Sequence, residues 1–135
     1  MNTCTMKGDR TTPDFVEALG PNEIFVFGSN LQGAHAGGAA RMAWRHFGAE
    51  WGVGEGMTGR CYAIPTMQGG IETIKPYVDR FISFARKNPQ YVFLVTPIGC
   101  GIAGFSVGQM APLFADAVDV GNIRLPSVFW AVLGR

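Results

Sequence analysis

Short unbroken apolar runs alternate along this chain with segments whose apolar positions recur every three or four residues. Ile24 to Phe27 (IFVF) is all apolar and ends at Gly28, the pattern of a strand buried on both faces. Tyr91 to Val95 (YVFLV) repeats it, and RCYAIPT (Arg60 to Thr66) reads as the strand between them. NIRLP and VFWAVL, near the end, read as one or two closing strands. Between the strands, Val78, Phe81, Ile82 and Ala85 mark the buried stripe of a helix, with Pro76 in its first turn and Asn88-Pro89 ending it. A second helix is expected from about Gly38 to Phe47. A shorter one is expected from Thr12-Pro13-Asp14, which opens like a capped first turn, to Gly20-Pro21. Ser106 and Gln109 have capping-box spacing. Pro112 does not suit a helix interior, so a turn is expected there and the main helix from about Pro112 to Val118. Gly48 to Gly59 reads as turns. Strands alternating with helices predict a single α/β domain over 1–135, a sheet covered by helices on both faces in three layers.

Composition narrows the class. Of 135 residues, 47% are hydrophobic and 16% charged, a compact globular balance rather than a disordered one. No apolar stretch approaches the roughly 20 residues of a spanning helix, so no membrane partner is expected. The opening MNTCTMKGDR lacks an apolar signal-peptide core, which predicts a cytoplasmic location. The formal net charge is +1 with Lys and Arg scattered, which argues against a nucleic-acid partner. Cys4, Cys61 and Cys100 are odd in number without pair spacing, so they read as reduced thiols. His35 and His46 are the only histidines, too few for a metal centre, and no cofactor is implied. The pattern leaves oligomeric state open.

The 19 glycines concentrate in particular places, between Gly28 and Gly59 and again between Gly99 and Gly108. Two glycine-rich loops begin where buried strands end, after Phe27 and after Ile98, and each leads toward a helix start. In open α/β sheets ligands gather at the carboxyl ends of strands, and a helix amino end offers unpaired N–H groups to an anion. Gly33, Gly37 and Gly38, with Gly99, Gly101 and Gly104, would let backbone amides approach a phosphate without a lysine cluster. The alternative is that they only make tight turns. Neither loop carries the dinucleotide fingerprint GxGxxG in its proper setting, and no GxxxxGK[ST] is present.

Three side chains near these loops carry candidate chemistry, each with a plainer alternative. Asn30 stands at a strand end, either to meet a ligand or to satisfy its own turn. His35 is a candidate general acid or base, or an exposed loop histidine without a visible carboxylate to orient it. Cys100, between two glycines, is a candidate nucleophile paired with His35, or a small packing residue.

Taken in order, FVFGSN (Phe25 to Asn30), LQGAHAGGAARMA (Leu31 to Ala43), GMTGRCYAIPT (Gly56 to Thr66) and VTPIGCGIAGF (Val95 to Phe105) resemble motifs of the macro-domain superfamily. Its members bind ADP-ribose and related nucleotides. The chain is also similar to short bacterial and phage-type proteins sharing FVFGSN and IGCGIAG. The resemblance covers roughly residues 24 to 118 and implies a central mixed sheet. It also implies roles. Asn30 would face the distal ribose, and Gly33, Ala36, Gly37 and Gly38 would wrap that ribose and its phosphate. Gly101, Ile102, Ala103 and Gly104 would cradle the diphosphate, and Phe105 would pack on a ribose or the adenine. The family's adenine-binding Asp has only Gly8-Asp9 as a distant counterpart, and the catalytic Asp of its hydrolytic members is absent, with His35 in that neighbourhood. The expected function is binding of an ADP-ribose-like nucleotide, with hydrolysis of an ADP-ribosyl bond as an added activity. The rivals are a Cys100-dependent hydrolase or transferase on another metabolite, and a non-catalytic protein-interaction module.

Overall fold

The computed structural model describes residues 10–101 and 103–134. In chain order the strands are β1 (Thr11–Thr12), β2 (Glu23–Ser29), β3 (Gly56–Thr58), β4 (Cys61–Pro65), β5 (Val92–Val95) and β6 (Ile123–Pro126). The α-helices are α1 (Gly38–His46), α2 (Ile71–Lys87), α3 (Val107–Met110) and α4 (Ser127–Leu133), with a 3-10 helix over Ala111–Asp119. The strands form one six-stranded mixed sheet in the order β1-β6-β5-β2-β4-β3. Every pairing is parallel except that of β3 with β4, which is antiparallel.

Two hydrophobic clusters make the outer contacts of the sheet. Successive side chains of a strand point to opposite faces, so β2 feeds both. Ile24 and Val26 join the larger cluster with α2, the 3-10 helix and α4. Phe25 and Phe27 join the smaller one beneath α1, where Ala40, Ala43 and Phe47 cover them. The fold is therefore three-layered α/β/α, with the sheet in the middle. α2 buries Ile74, Val78, Phe81, Ile82 and Ala85, the predicted stripe plus one earlier turn. It begins at Ile71, so Pro76 lies inside the helix rather than in its first turn.

Three expected elements differ. The helix expected over Thr12 to Gly20 does not form: Thr11–Thr12 pairs with β6, and 13–20 has no regular structure. Thr12 spends its hydroxyl on the Arg124 carbonyl, 3.0 Å away, rather than on a cap. VFWAVL is helical rather than a strand. Phe129 and Trp130 are buried and Leu133 half-buried, one helical face, while Val128 and Val132 are exposed. Gly134, at φ +75°, ends that helix in the left-handed conformation only glycine adopts cheaply. Beyond Ser106 and Gln109, which form the reciprocal capping box, the helix expected over 112–118 is a 3-10 segment of 111–119. Short β3 lay unread within the turn-rich 48–59.

One arginine ties the first described residues to the far edge. Arg10 donates to the carbonyls of Ala117, Val118, Val120 and Ile123, at 2.7 to 3.2 Å, joining the end of the 3-10 helix to the start of β6. Its guanidinium lies 5.3 Å from the Trp130 ring, whose indole N–H donates to the Arg10 carbonyl. A lysine has no planar fork to serve several carbonyls at once. Arg10→Ala is expected to lower stability by about 2–3 kcal/mol in chemical denaturation, with Arg10→Lys recovering less than half.

Candidate functional site

β2 lies between two parallel neighbours, and the chain leaves them in opposite directions. From β2 it runs through α1 to β4 on one side; from β5 it runs to β6 on the other. Diverging connections open a crevice at the carboxyl ends of the strands. Backbone bonds draw the three strand ends together: Thr66 N–H donates to the Ser29 carbonyl at 2.8 Å, and Thr96 N–H to the Val26 carbonyl at 3.1 Å. The crevice holds a cleft of about 340 Å³.

Both glycine-rich loops reach this cleft. Asn30, Ala36, Gly37 and Gly38 line it from the first, and Gly99, Gly101 and Ala103 from the second. α1 starts there at Gly38, and no side chain caps it. The first N–H groups of a helix have no partner within it, and Gly38, Ala39 and Ala40, the first residues of α1, line the cleft. Across the cleft, a side chain at Gly101 would meet nothing within 4 Å, so the position opens onto free space.

Asn30 lines the cleft while closing its own loop. Its Oδ1 accepts from Ala34 N–H at 3.0 Å and its Nδ2 donates to the Ala34 carbonyl at 3.3 Å. One Nδ2 hydrogen remains for another partner.

Other candidates stand elsewhere. Gly33 is outside the cleft: at φ +70°, its missing Cβ lets the backbone of Gly52 and Val53 pass, and its carbonyl accepts from Gly52 N–H at 2.9 Å. Gly104, at φ +82°, turns the second loop without lining the cleft. Phe105 does not line the cleft and packs, partly buried, against the larger hydrophobic cluster. Ile102 lies outside the described residues, as does the Gly8-Asp9 pair.

Cys100 also packs against that cluster, and burial pushes its thiol above the ordinary value. The thiol is therefore less ionised than a free one, the reverse of an activated nucleophile. Its sulfur donates to the Ile98 carbonyl at 3.7 Å, while the His35 ring bonds Ser29 and Glu50. Buried Cys61, whose sulfur lies 3.4 Å from the Phe47 carbonyl, is pushed up to about 12 by burial.

His35 is fully buried rather than an exposed loop residue, and it does not line the cleft. Its Nε2 lies 2.8 Å from the Glu50 carbonyl and its Nδ1 2.9 Å from Ser29 Oγ. A carbonyl only accepts, so Nε2 carries a hydrogen, and in the neutral ring Nδ1 then accepts from the serine hydroxyl. Phe27 and Trp51 hold the ring edge-on at 5.2 and 6.1 Å. Exposed Trp44 packs on Trp51 at 4.8 Å, outside both cavities.

Sequence reasoning missed Ser29, Thr66 and Thr96, which line the cleft. Each is a polar residue at or just past the end of an apolar run, a signal that could have found them. It also missed a second cavity of about 550 Å³, which meets the first at Gly38, Ala39, Thr96 and Pro97. Phe25, Val16, Met42 and Val128 give that cavity apolar walls, while Asp14 and Phe15 stand on its border. Phe15 is 84% exposed. Their segment read as a helix, which would have sent these side chains elsewhere. No cluster of three or more His, Cys, Asp or Glu suited to a metal occurs among the described residues, and no described helix is long and apolar enough to cross a membrane. Neither protein-family models, nor curated proteins, nor solved structures match this chain.

Two glycine substitutions separate structural from cleft positions. Gly33→Ala should cost at least about 2 kcal/mol in urea unfolding, through left-handed strain and a displaced loop. Gly101→Ala should stay within about 0.5 kcal/mol of the parent. Iodoacetamide should alkylate the Cys100 peptide slowly at neutral pH, the rate climbing only above the ordinary thiol pKa of about 8.5.

Proposed function

We propose that this chain is a macro-domain-like module that binds ADP-ribose or a closely related nucleotide diphosphate across its two joined cavities. The observation that carries the reading is the uncapped start of α1 at Gly38, facing the second glycine loop across the first cavity. Helix N–H groups and a glycine-lined wall receive a diphosphate without cationic side chains, which agrees with a net charge of +1.

The second cavity supports the nucleoside end of the same ligand. Its walls are apolar, it continues from the phosphate cleft, and both volumes fall in the range of small-molecule sites, roughly 300–1,000 Å³. In this reading exposed Phe15 stacks on the base and Asp14 accepts from its exocyclic amino group. Asp14 thus takes the role for which the sequence offered only Gly8-Asp9. Asn30, with its free Nδ2 hydrogen, contacts the distal ribose.

Calorimetric titration with ADP-ribose, AMP and NAD tests the proposal. ADP-ribose should bind best, because AMP lacks one phosphate and the distal sugar. Absence of heat with all three in folded protein would sink it. Gly101→Glu should abolish binding by filling the cleft with a carboxylate, without unfolding the chain. Asp14→Asn should weaken ADP-ribose about tenfold or more while leaving inorganic pyrophosphate binding unchanged.

A further inference from the structure

The first cavity contains one piece of chemistry that ligand binding does not require. Ser29, the last residue of β2, is among the residues that line the cleft although only 5% of it is exposed, and its hydroxyl donates to His35 Nδ1 at 2.9 Å. The imidazole is oriented from behind by the Glu50 carbonyl, 2.8 Å from Nε2, and clamped by Phe27 and Trp51. A hydroxyl within reach of a base, with that base fixed by a third group, is the general arrangement of an activated nucleophile. Only the orienting group is unusual, a backbone carbonyl where a carboxylate would often stand. It holds the neutral tautomer in which Nδ1 is free to take a proton.

We propose that Ser29 is a nucleophile with His35 as its base, and that the cleft hydrolyses carboxylic esters. The proposal takes the cleft as the ligand site, the reading given above, and adds a reaction to it. Ser29 Oγ adds to the acyl carbon of a bound ester while its proton passes to His35 Nδ1. The bond from that carbon to the alcohol oxygen breaks, and the alcohol leaves with the proton. Water then adds to the acyl-serine, giving its proton to the same Nδ1. The Ser29 Oγ–acyl bond breaks, the serine takes the proton back, and a carboxylic acid is released. Only water is consumed.

The wall of the cleft selects acyl transfer over the alternatives. Cleaving a glycosidic bond calls for two carboxylates flanking it, and no Asp or Glu among the described residues lines this cavity. Phosphoryl transfer is favoured by Lys or Arg beside the transferred group, and no cationic side chain among the described residues lines this cavity. A tetrahedral acyl intermediate asks only for N–H donors aimed at its oxyanion. The uncapped amino end of α1, whose first residues line the same cavity, is the source of such donors in this proposal.

The test treats the intact protein with a fluorophosphonate probe and, separately, with p-nitrophenyl acetate. The expected result is one adduct on the Ser29 peptide by mass spectrometry and a p-nitrophenol burst of about one equivalent. Ser29→Ala should remove both, and His35→Gln should slow labelling at least about 100-fold. His35 is buried, so its variant is checked for folding by circular dichroism. Where it does not fold, Ser29→Ala, which deletes a single oxygen, carries the assignment. No adduct on folded protein, an adduct elsewhere, or an unchanged burst in Ser29→Ala would overturn the proposal. ADP-ribose binding without labelling overturns the nucleophile and leaves the nucleotide reading standing. Labelling that ADP-ribose fails to slow supports the nucleophile and counts against the nucleotide reading.

Discussion

The parallel pairing of β2 with β4 on one side and β5 on the other governs what this chain can build. Phe25 to Ser29 pair with Cys61 to Pro65, and Glu23 to Val26 with Val92 to Val95. Side chains alternate along each strand, so a slip of one residue would turn Phe25 and Phe27 out of the cluster beneath α1 and into the larger one. Burial on both faces makes that slip costly. The fixed register also sets where the strands end, which brings Ser29, Thr66 and Thr96 to one rim. Because the outgoing connections diverge there, the rim stays open instead of being roofed by its own loops.

What fills that rim is mostly backbone. A site made of N–H groups from a helix start and a glycine loop needs little charge. Its attraction is short-ranged and set by geometry, in contrast to the long-range field of a basic patch. Such a site depends on how closely the chain can approach itself. A Cβ at Gly28 would crowd Thr66 Oγ1 at 3.2 Å and Ile98 at 3.4 Å, so even the strand beneath the cleft is a glycine for reasons of space.

The glycines look alike in sequence and differ in duty. Gly33 and Gly54 lack side chains because other backbone passes through the space, whereas Gly101 faces emptiness. Gly99 sits at φ +80° against the Met110 sulfur and lines the cleft as well. His35 follows the same lesson. In the sequence it read as a candidate acid or base or else as an exposed loop residue; the fold buries it and joins it to the cleft through Ser29. The group that orients it, the Glu50 carbonyl, has no signature in any sequence, because every residue carries one.

The amino-acid pattern by itself determined the alternation of strands and helices, the α2 stripe, the capping box at Ser106 and the placing of two glycine loops at strand ends. These are local facts, set by side-chain periodicity and by the conformational limits of glycine and proline. Tertiary structure decided the rest. VFWAVL has no polar residue to reveal its period, and only the neighbours of Phe129 and Trp130 make it a helix. Thr12 opens a helix by its local signals, yet its hydroxyl and backbone are taken by β6. Asp14 and Phe15 reach the second cavity for that reason alone. Which polar groups meet across a cleft depends on partners distant in the chain, and no local pattern encodes their distance.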